Sequence, residues 1–576
     1  MLNYKYENTD KIAYNIKICG NNIGNYVIAT DEYAIPSVKR AAKELCKYIE
    51  TTTQIKLPIT VAGKNEYEII LGTADGIAKD GYIMKTEGKN LYMLGEGKRG
   101  TLYAVYDFLE KYLGWRFYTK DLERCALSDD VIIDGIDERK EPILEYRELD
   151  WVCARDKEFA VKLKINGNYR KFGEELGSEL NWGGGIHSIG QYLKCNSHTE
   201  QPCLSDPENI KSVIEQVGKI LEENPDLDIF EISQNDNQNF CTCDRCKAID
   251  EEEGNHAGTV IRFINALSDA FKDKYPKLHF QTFAYQYTRK PPKKTKPNDN
   301  VIIKLCPMEC CYSHPFDDPD CKTNNEFKED LEGWNKICRK VYIWDYSSNY
   351  AYFCAPFPNF EVMRKNIKFL VDNSVKGYYP EANYIAESGE FGELRSYLHS
   401  KLMWNPYMDK EEYYAHMDDF LRAYYGVGRE GVRKFIDFTM EESSKHHCDL
   451  WSEPFVIIPR EVYEEKLDEI NSWWDEAEGS AWRAGDKISC AHVCKSRLQW
   501  TFIKLTCEYE KRYLNGDNES RKQYRFDNIK FFADLCKNNI VWREAFMYPP
   551  LTDFTKPPLE WSKPHTYGQP EEPIEW

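Results

Sequence analysis

The 576-residue sequence contains no apolar run of about 18 residues, the length a membrane-spanning helix requires. Its start, Met1-Leu2-Asn3-Tyr4-Lys5-Tyr6, lacks a charged head followed by an apolar segment, so neither export nor membrane insertion is predicted and a cytoplasmic location is expected. Positive charge is also in short supply. Lys and Arg number 76 against 95 Asp and Glu, a formal net charge of −19, and a polyanion would be repelled by that field. Nucleic acid is therefore not an expected partner. A glycine turn, Gly95-Glu96-Gly97-Lys98-Arg99-Gly100, lies between a strand pattern and a helix pattern. Its spacing is not that of a nucleotide-binding loop, and no lysine-hydroxyl pair follows. No internal repeat stands out, and the one biased segment, the Lys/Pro-rich Arg289 to Pro297, reads as a solvated loop.

What is present is a high aromatic content: 39 Tyr, 27 Phe and 14 Trp offer ring faces on which sugars stack, although such residues also dominate ordinary cores. The 20 cysteines include scattered single ones such as Cys19, Cys46 and Cys125, which in a reducing compartment behave as small buried hydrophobes. A hydrophobic fraction of 42% suffices for folding, and the chain is too long for one core, so two or three domains are expected.

Residues 1–135 read as a small α/β domain. Its strands are Tyr26 to Ala29, Tyr67 to Gly72 and Leu91 to Leu94; its helices are Val38 to Ile49 and Thr101 to Leu113, with Gly114 as the stop. The polar stretch Ser128 to Glu141 reads as a linker. From 142 to 430, eight candidate strands alternate with helical segments: Tyr146 to Val152, Lys164 to Asn168, the Gly183 to Ser188 neighbourhood, Asp228 to Ser233, His279 to Tyr285, Val301 to Leu305, Val341 to Trp344 and Val375 to Tyr379. Eight βα units predict a (β/α)₈ TIM-type barrel with its chemistry at the carboxyl ends of the strands. Residues 431–576 read as a helical domain, through Val432 to Met440, Arg460 to Ala477, Ser489 to Tyr513 and Arg521 to Lys537. The tail Trp561 to Trp576, rich in Pro and aromatics, is expected to cover a groove or hang free.

Glycosidic cleavage needs a proton for the leaving oxygen and stabilisation of a developing oxocarbenium ion, supplied by two carboxylates or by one carboxylate with substrate assistance. The first candidate is Asp236, where the strand pattern Glu231-Ile232-Ser233 ends in side-chain amides; Asn235 beside it is the amide partner. The same residues also make an ordinary polar turn. Glu381, in Tyr379-Pro380-Glu381-Ala382, follows the last strand among aromatics and is the second candidate. Asp345 and Glu309 occupy equivalent positions and read equally well as solvated loop acids. Trp182, His187, Tyr285, Trp344, Asp345 and Tyr346 are candidate walls of a sugar subsite.

A separate signal is Cys241-Thr242-Cys243-Asp244-Arg245-Cys246. Thiolates at this spacing suit a structural zinc with a fourth ligand from elsewhere, Cys310 being the one adopted here among Cys306, Cys310, Cys311, Cys321 and His314. Buried or reversibly oxidised thiols, or a redox pair, are the other readings. No cofactor is expected for catalysis.

Several ordered runs together resemble glycoside hydrolase family 163, formerly a domain of unknown function (4838). They are Lys98 to Glu110, Ser233 to Asp236 with Cys241-x-Cys243-x-x-Cys246, Thr282 to Tyr287, Trp344-Asp345-Tyr346, and Phe391-x-Glu393-Leu394-Arg395. The resemblance implies a (β/α)₈ barrel behind an N-terminal domain like those of family 20 and family 67 glycosidases. It further implies endo-β-N-acetylglucosaminidase activity on N-glycans, with Asp236 as acid/base and Glu381 as nucleophile or substrate-binding acid. An oligosaccharide is then the expected partner, while the oligomeric state is not legible. The alternatives are an exo-acting hexosaminidase or α-glucuronidase, a non-catalytic carbohydrate-binding protein, and a zinc-organised interaction protein.

Overall fold

Short β-branched runs separated by turns build the first part of the chain. The computed structural model describes residues 15–125, 130–387, 389–541 and 553–561, so the tail beyond Trp561 and the first 14 residues lie outside it. Strands β1 (Val27–Thr30), β2 (Ile59–Val61), β3 (Glu68–Thr73), β4 (Tyr82–Glu87), β5 (Asn90–Gly95) and β6 (Asp137–Lys140) form a mixed sheet in the order β6-β4-β5-β3-β1-β2. Helices Pro36–Thr53 and Gly100–Lys111 each bury an apolar stripe. The glycine turn between β5 and the second helix serves close packing. A Cβ on Gly95 would stand 1.8 Å from the backbone nitrogen of Thr101, and one on Gly100 would stand 2.2 Å from the Gly81 carbonyl oxygen.

The expected linker Ser128 to Glu141 contains two strands. Asp130–Ile133 pairs in parallel with Asn15–Ile18, and β6 pairs antiparallel with β4 at the sheet edge. Asp137-Glu138-Arg139-Lys140 looks like a loop because it is all charge, yet an edge strand is where a sheet tolerates charge.

This unit comprises Met1–Glu179 together with Gly392–Arg429. Helix Gly392–Trp404 is buried along most of its length, with Lys401 paired to Glu110 and Trp404 Nε1 donating to Asp107 at 2.8 Å. Two of the eight expected strands fall here and are not formed as expected. Only Tyr146–Arg147 is extended in the first, and the second is irregular because Lys164 takes a left-handed φ of 61°. Its buried ammonium pairs instead with Asp107 at 2.8 Å and Glu110 at 3.1 Å.

The second unit, Leu180–Phe391 with Glu430–Trp576, holds the other six: β7 (Trp182–Gly185), β8 (Ile229–Ile232), β9 (His279–Ala284), β10 (Val301–Leu305), β11 (Lys340–Tyr346) and β12 (Gly377–Glu381). Each pairs in parallel with the next, in chain order. Helices connect them, among them Pro207–Glu223, Ala257–Phe271, Lys322–Ile337 and Phe360–Asp372. The fold class is therefore α/β with a TIM-type parallel sheet, preceded by a small α/β region and followed by helices, as expected. β9 and β10 are joined by the Arg289 to Pro297 segment, which is not merely solvated: Arg289 is buried and paired with Asp330 and Glu309, both at 2.8 Å. The later helices, Arg429–Ser443, Leu467–Arg483, Lys487–Tyr509 and Asn518–Lys537, follow the expected periodicity, and Phe435 packs its ring 5.2 Å from that of Trp474. Among the described residues no helix is long and apolar enough to cross a membrane.

Asp80 ties the first unit together. Its carboxylate meets Arg99 Nε at 2.7 Å, Arg147 Nη2 at 2.9 Å and Asn166 Nδ2 at 2.8 Å, all buried. Burial alone would raise its pKa, but the two guanidinium groups outweigh burial and hold the carboxyl at about 2. Asp80→Asn leaves two buried cations without their counter-charge, and we expect a loss of about 3–5 kcal/mol in urea unfolding at pH 7. Because the native pKa is depressed, this stabilisation is present above the ordinary carboxylate pKa and fades as pH falls towards 2. The gap between wild type and Asp80→Asn should therefore shrink in acid; a gap under 1 kcal/mol at pH 7 contradicts the assignment.

Candidate active site

In a parallel sheet, paired residues of neighbouring strands share a face and alternate residues change face. The registers put Trp182 beside Ile229, two residues before Glu231; they also pair Phe283 with Lys304, Trp344 with Tyr379, and Tyr346 with Glu381. These positions form one face of the sheet.

Asp236 lies four residues beyond β8 and is half-buried. Tyr285 Oη, just past β9, donates to its Oδ1 at 3.1 Å and lies 3.2 Å from Met308 Sδ. His187 stands in the same wall. Its Nδ1 donates to the Gln234 carbonyl at 2.9 Å, leaving the Nε2 lone pair for a ligand, and its ring lies 6.0 Å from that of Tyr285. His187 has a left-handed φ of 47°, held by its N–H donating to Ser233 Oγ at 2.9 Å.

Asn235 does not join the site. It is fully buried: Nδ2 donates to the Glu200 carbonyl at 2.7 Å and reaches Cys195 Sγ at 3.4 Å, while Oδ1 accepts from Gly190 N–H at 3.1 Å. The expected substrate-facing amide is a loop clamp, its side chain spent on the Glu200 carbonyl, Cys195 and the Gly190 N–H.

On the far side, Glu381 ends β12, half-buried, and accepts from Trp344 Nε1 at 2.6 Å. The Trp344 ring packs edge-on to Tyr379 at 4.4 Å. Tyr346, buried beside them, has its phenol pushed well above its ordinary value by burial and then by the negative fields of Cys306, Tyr285 and Glu381. That places it within electrostatic reach of both Glu381 and the tyrosine that holds Asp236.

Asp345 corrects a second expectation. One residue out of phase with Trp344 and Tyr346, it points to the other face, where it accepts from the Tyr378 hydroxyl at 2.5 Å and from the Tyr346 N–H at 2.8 Å. Burial raises its pKa to about 6, offset in part by those donors. Glu309 is paired with Arg289 rather than presented to the face.

The floor beneath these groups was not expected. Lys304, in the buried run Val301-Ile302-Ile303-Lys304-Leu305, sets its ammonium 4.8 Å from the Trp344 ring centroid, 5.3 Å from Trp182 and 5.6 Å from Tyr379. Its counter-charge is Glu231 at 3.6 Å, which also accepts from Trp182 Nε1 at 3.0 Å. Among the described residues, Glu231 Oε1 and both amide atoms of buried Gln281 have no hydrogen-bond partner. A single charged residue inside each of two apolar strands, at inward positions, was the available signal. Trp182 is followed by Gly183-Gly184-Gly185, where Gly184 has a φ of 73° and a Cβ on it would meet the Glu231 carbonyl oxygen at 2.0 Å.

The cysteine cluster sits on the same loop as Asp236. Cys241, Cys243 and Cys246 are joined by Cys203, whose sulfur lies 3.6 Å from Cys243 Sγ and 3.7 Å from Cys246 Sγ. Cys243 caps helix Asp244–Glu253, and the Cys246 N–H pointing at its sulfur lowers its pKa to about 6. Cys310 is not the fourth member. It is buried near Arg289 and Glu309 instead, and Cys203 takes the fourth place. Cys203 stands 38 residues upstream of Cys241, with no spacing to betray it.

The family model described as "Domain of unknown function (DUF4838)" matches residues 117–437. Among solved structures, a family GH115 4-O-methyl-α-glucuronidase with specificity for decorated arabinogalactans is 13% identical over 95% of this chain and 80% of its own, with a TM-score of 0.61. A GH138 enzyme targeting pectin rhamnogalacturonan II is 10% identical over 90% and 93%, TM-score 0.45. A GH20 β-N-acetylhexosaminidase from Streptomyces coelicolor A3(2) is 11% identical over 71% and 92%, TM-score 0.44. The first likeness shows a shared fold. No curated protein matches the sequence.

The displaced Asp345 generates a pH prediction. Its native pKa of about 6 exceeds the ordinary 3.8, so its contribution favours folding below about pH 4 and is lost as pH rises through 6. Asp345→Asn removes that titration. The unfolding free energy of the variant relative to wild type should shift in the variant's favour by about 3 kcal/mol between pH 4 and 8. Urea titrations showing a constant difference would refute the burial.

Proposed function

This chain belongs to the DUF4838 family, and from that premise we propose that it is a glycoside hydrolase. It cleaves β-N-acetylglucosaminyl linkages in N-glycan-derived oligosaccharides by retaining acid/base chemistry. The observation that carries the reading is the pair Asp236 and Glu381: two half-buried carboxylates, one four residues past a strand and one at the last residue of a strand of the same parallel sheet, each gripped by an aromatic side chain's polar edge, Tyr285 Oη and Trp344 Nε1. The fold likeness to an α-glucuronidase and the family GH163 resemblance support the same class.

In this mechanism Asp236 donates its proton to the leaving glycosidic oxygen, and the bond to the anomeric carbon breaks as Glu381 attacks that carbon from the opposite face. The bond from Trp344 Nε1 aims the Glu381 carboxyl group. Asp236, now a carboxylate, takes a proton from water as the water oxygen displaces Glu381, giving net retention. Trp182 and His187 hold the sugar, one through its ring face and one through Nε2. Direct attack is preferred over substrate assistance because the neighbouring amide, Asn235, is sealed in a loop and has no free atom to orient an acetamide.

We assign a structural zinc to Cys203, Cys241, Cys243 and Cys246. Four thiolates about 2.3 Å from a tetrahedral zinc lie about 3.8 Å apart, and the recorded sulfur separations of 3.6 and 3.7 Å fit that spacing. The ion would brace the loop that carries Asp236 and take no part in bond cleavage.

On aryl β-N-acetylglucosaminides and N-glycans, Asp236→Asn should lower kcat by at least about 10²-fold, the usual scale of general acid catalysis. A variant with more than a tenth of wild-type turnover would rule out this donor. Azide separates the two roles. With Asp236→Ala it should restore turnover and release a glycosyl azide of retained configuration, whereas with Glu381→Ala the azide product should be inverted. If Glu381→Ala is not rescued and yields no azide adduct, the nucleophile is not Glu381.

A further inference from the structure

We propose that Cys311, His314, Cys321 and His447 form a second metal site, a closed structural zinc centre separate from the four-cysteine cluster. It joins the loop after β10 to the segment that follows helix Arg429–Ser443.

The four ligand atoms all lie within 4.8 Å of one another. Cys311 Sγ is 3.4 Å from His314 Nδ1, and Cys321 Sγ is 3.8 Å from His447 Nδ1. A tetrahedral zinc with sulfur at about 2.3 Å and nitrogen at about 2.0 Å sets neighbouring donors about 3.3 to 3.8 Å apart. The two imidazole rings stand 82° apart with centroids 4.8 Å from each other, so they approach a shared point from different directions.

The surroundings are organised as a metal site needs. His314 Nε2–H donates to the Ser444 carbonyl at 3.1 Å, which leaves the Nδ1 lone pair facing the cluster. Cys311 Sγ accepts from the Cys448 N–H at 3.4 Å, which fixes the sulfur on the cluster side of the loop. Cys321 caps the 16-residue helix Lys322–Ile337. Asn324, fully buried, braces the loop: its Oδ1 accepts from Cys311 N–H at 2.8 Å, and its Nδ2 donates to the carbonyls of Cys311, His314 and Pro315 at 2.9 to 3.0 Å. Binding releases two protons, one from each thiol, and two thiolates with two neutral imidazoles bring the net charge of the loaded site to zero. That neutrality suits a place where both cysteines are buried. With four protein ligands there is no open position, so the role is structural.

This inference is independent of the hydrolase reading, and its test reads no glycosidase activity. The full chain is produced in zinc-replete medium, purified without chelator, and measured by elemental mass spectrometry and zinc-edge X-ray absorption. Two zinc per chain with an average shell of three sulfurs and one nitrogen are expected. Cys203→Ser/Cys246→Ser should keep one zinc, with two sulfurs at about 2.3 Å and two nitrogens at about 2.0 Å. Cys311→Ser/Cys321→Ser should keep one zinc in an all-sulfur shell. If either double variant fails to fold, His447→Gln at the exposed edge of the site decides, with an expected tenfold or faster loss of one zinc to a competing chelator. An all-sulfur shell in wild type, a Cys311–Cys321 disulfide in peptide mapping, or zinc content and release unchanged in His447→Gln would overturn the site.

Discussion

Asp236 is held in place by side-chain amides borrowed from another loop. Gln201, between β7 and β8, accepts from the Asn235 N–H at 3.1 Å and donates to the carbonyls of Asn235 and Asn237 at 2.7 and 2.8 Å. Asn237 and Asn239 return the exchange by donating to Ser197, Glu200 and Thr199 carbonyls. Each such bond contributes only about 1 kcal/mol net, but a buried partner left alone costs about 1–3 kcal/mol, so the two loops hold one arrangement together or lose it together. Cys203 and the Cys241 to Cys246 trio sit at the far end of the same pair of loops. Asp236 is thus flanked by polar stitching at one end of these loops and by four clustered thiols at the other.

The rest of the candidate site is tuned by what lies under it. Lys304 places a positive charge below Trp182, Trp344 and Tyr379, in a medium where charges interact far more strongly than in water. Glu231 balances it through Oε1 at 3.6 Å, and the buried Gln281 amide lies on the same face. The resulting surface is aromatic where a sugar ring would lie and polar beneath. Its two outer carboxylates stand at opposite ends of the run from β8 to β12.

Sequence periodicity revealed most of the frame. Val301 to Leu305 matches its strand to the residue, and four more strands of the parallel sheet lie within about two residues of their expected bounds. The failures have local causes. Lys164 adopts a backbone angle that no composition rule foresees, and Asp137 to Lys140 is charged because it is an edge. At the site, Asp236, Glu381, Tyr285, Trp344 and Tyr346 were legible as polar or aromatic groups at strand ends. Which of them share a face was not. For Asp345 that depends on strand phase, a one-residue step turning it to the other face, while Asn235 is sealed by contacts with a distant loop. Cys203 and His447 were beyond reach because tertiary folding alone brings them to their partners.

The first unit is interrupted: the 212 residues from Leu180 to Phe391 lie between its two pieces. Helix Gly392–Trp404 supplies Lys401 to Glu110 and Trp404 to Asp107, so helix Gly100–Lys111 emerges from the ribosome without these partners of its half-buried acids. At about 5–20 residues per second, that wait lasts roughly 10–40 s. During translation the β7 to β12 region therefore has the opportunity to assemble before the portion that precedes it in the gene, and a nascent chain arrested before codon 392 would display an unfinished amino-terminal half to chaperones.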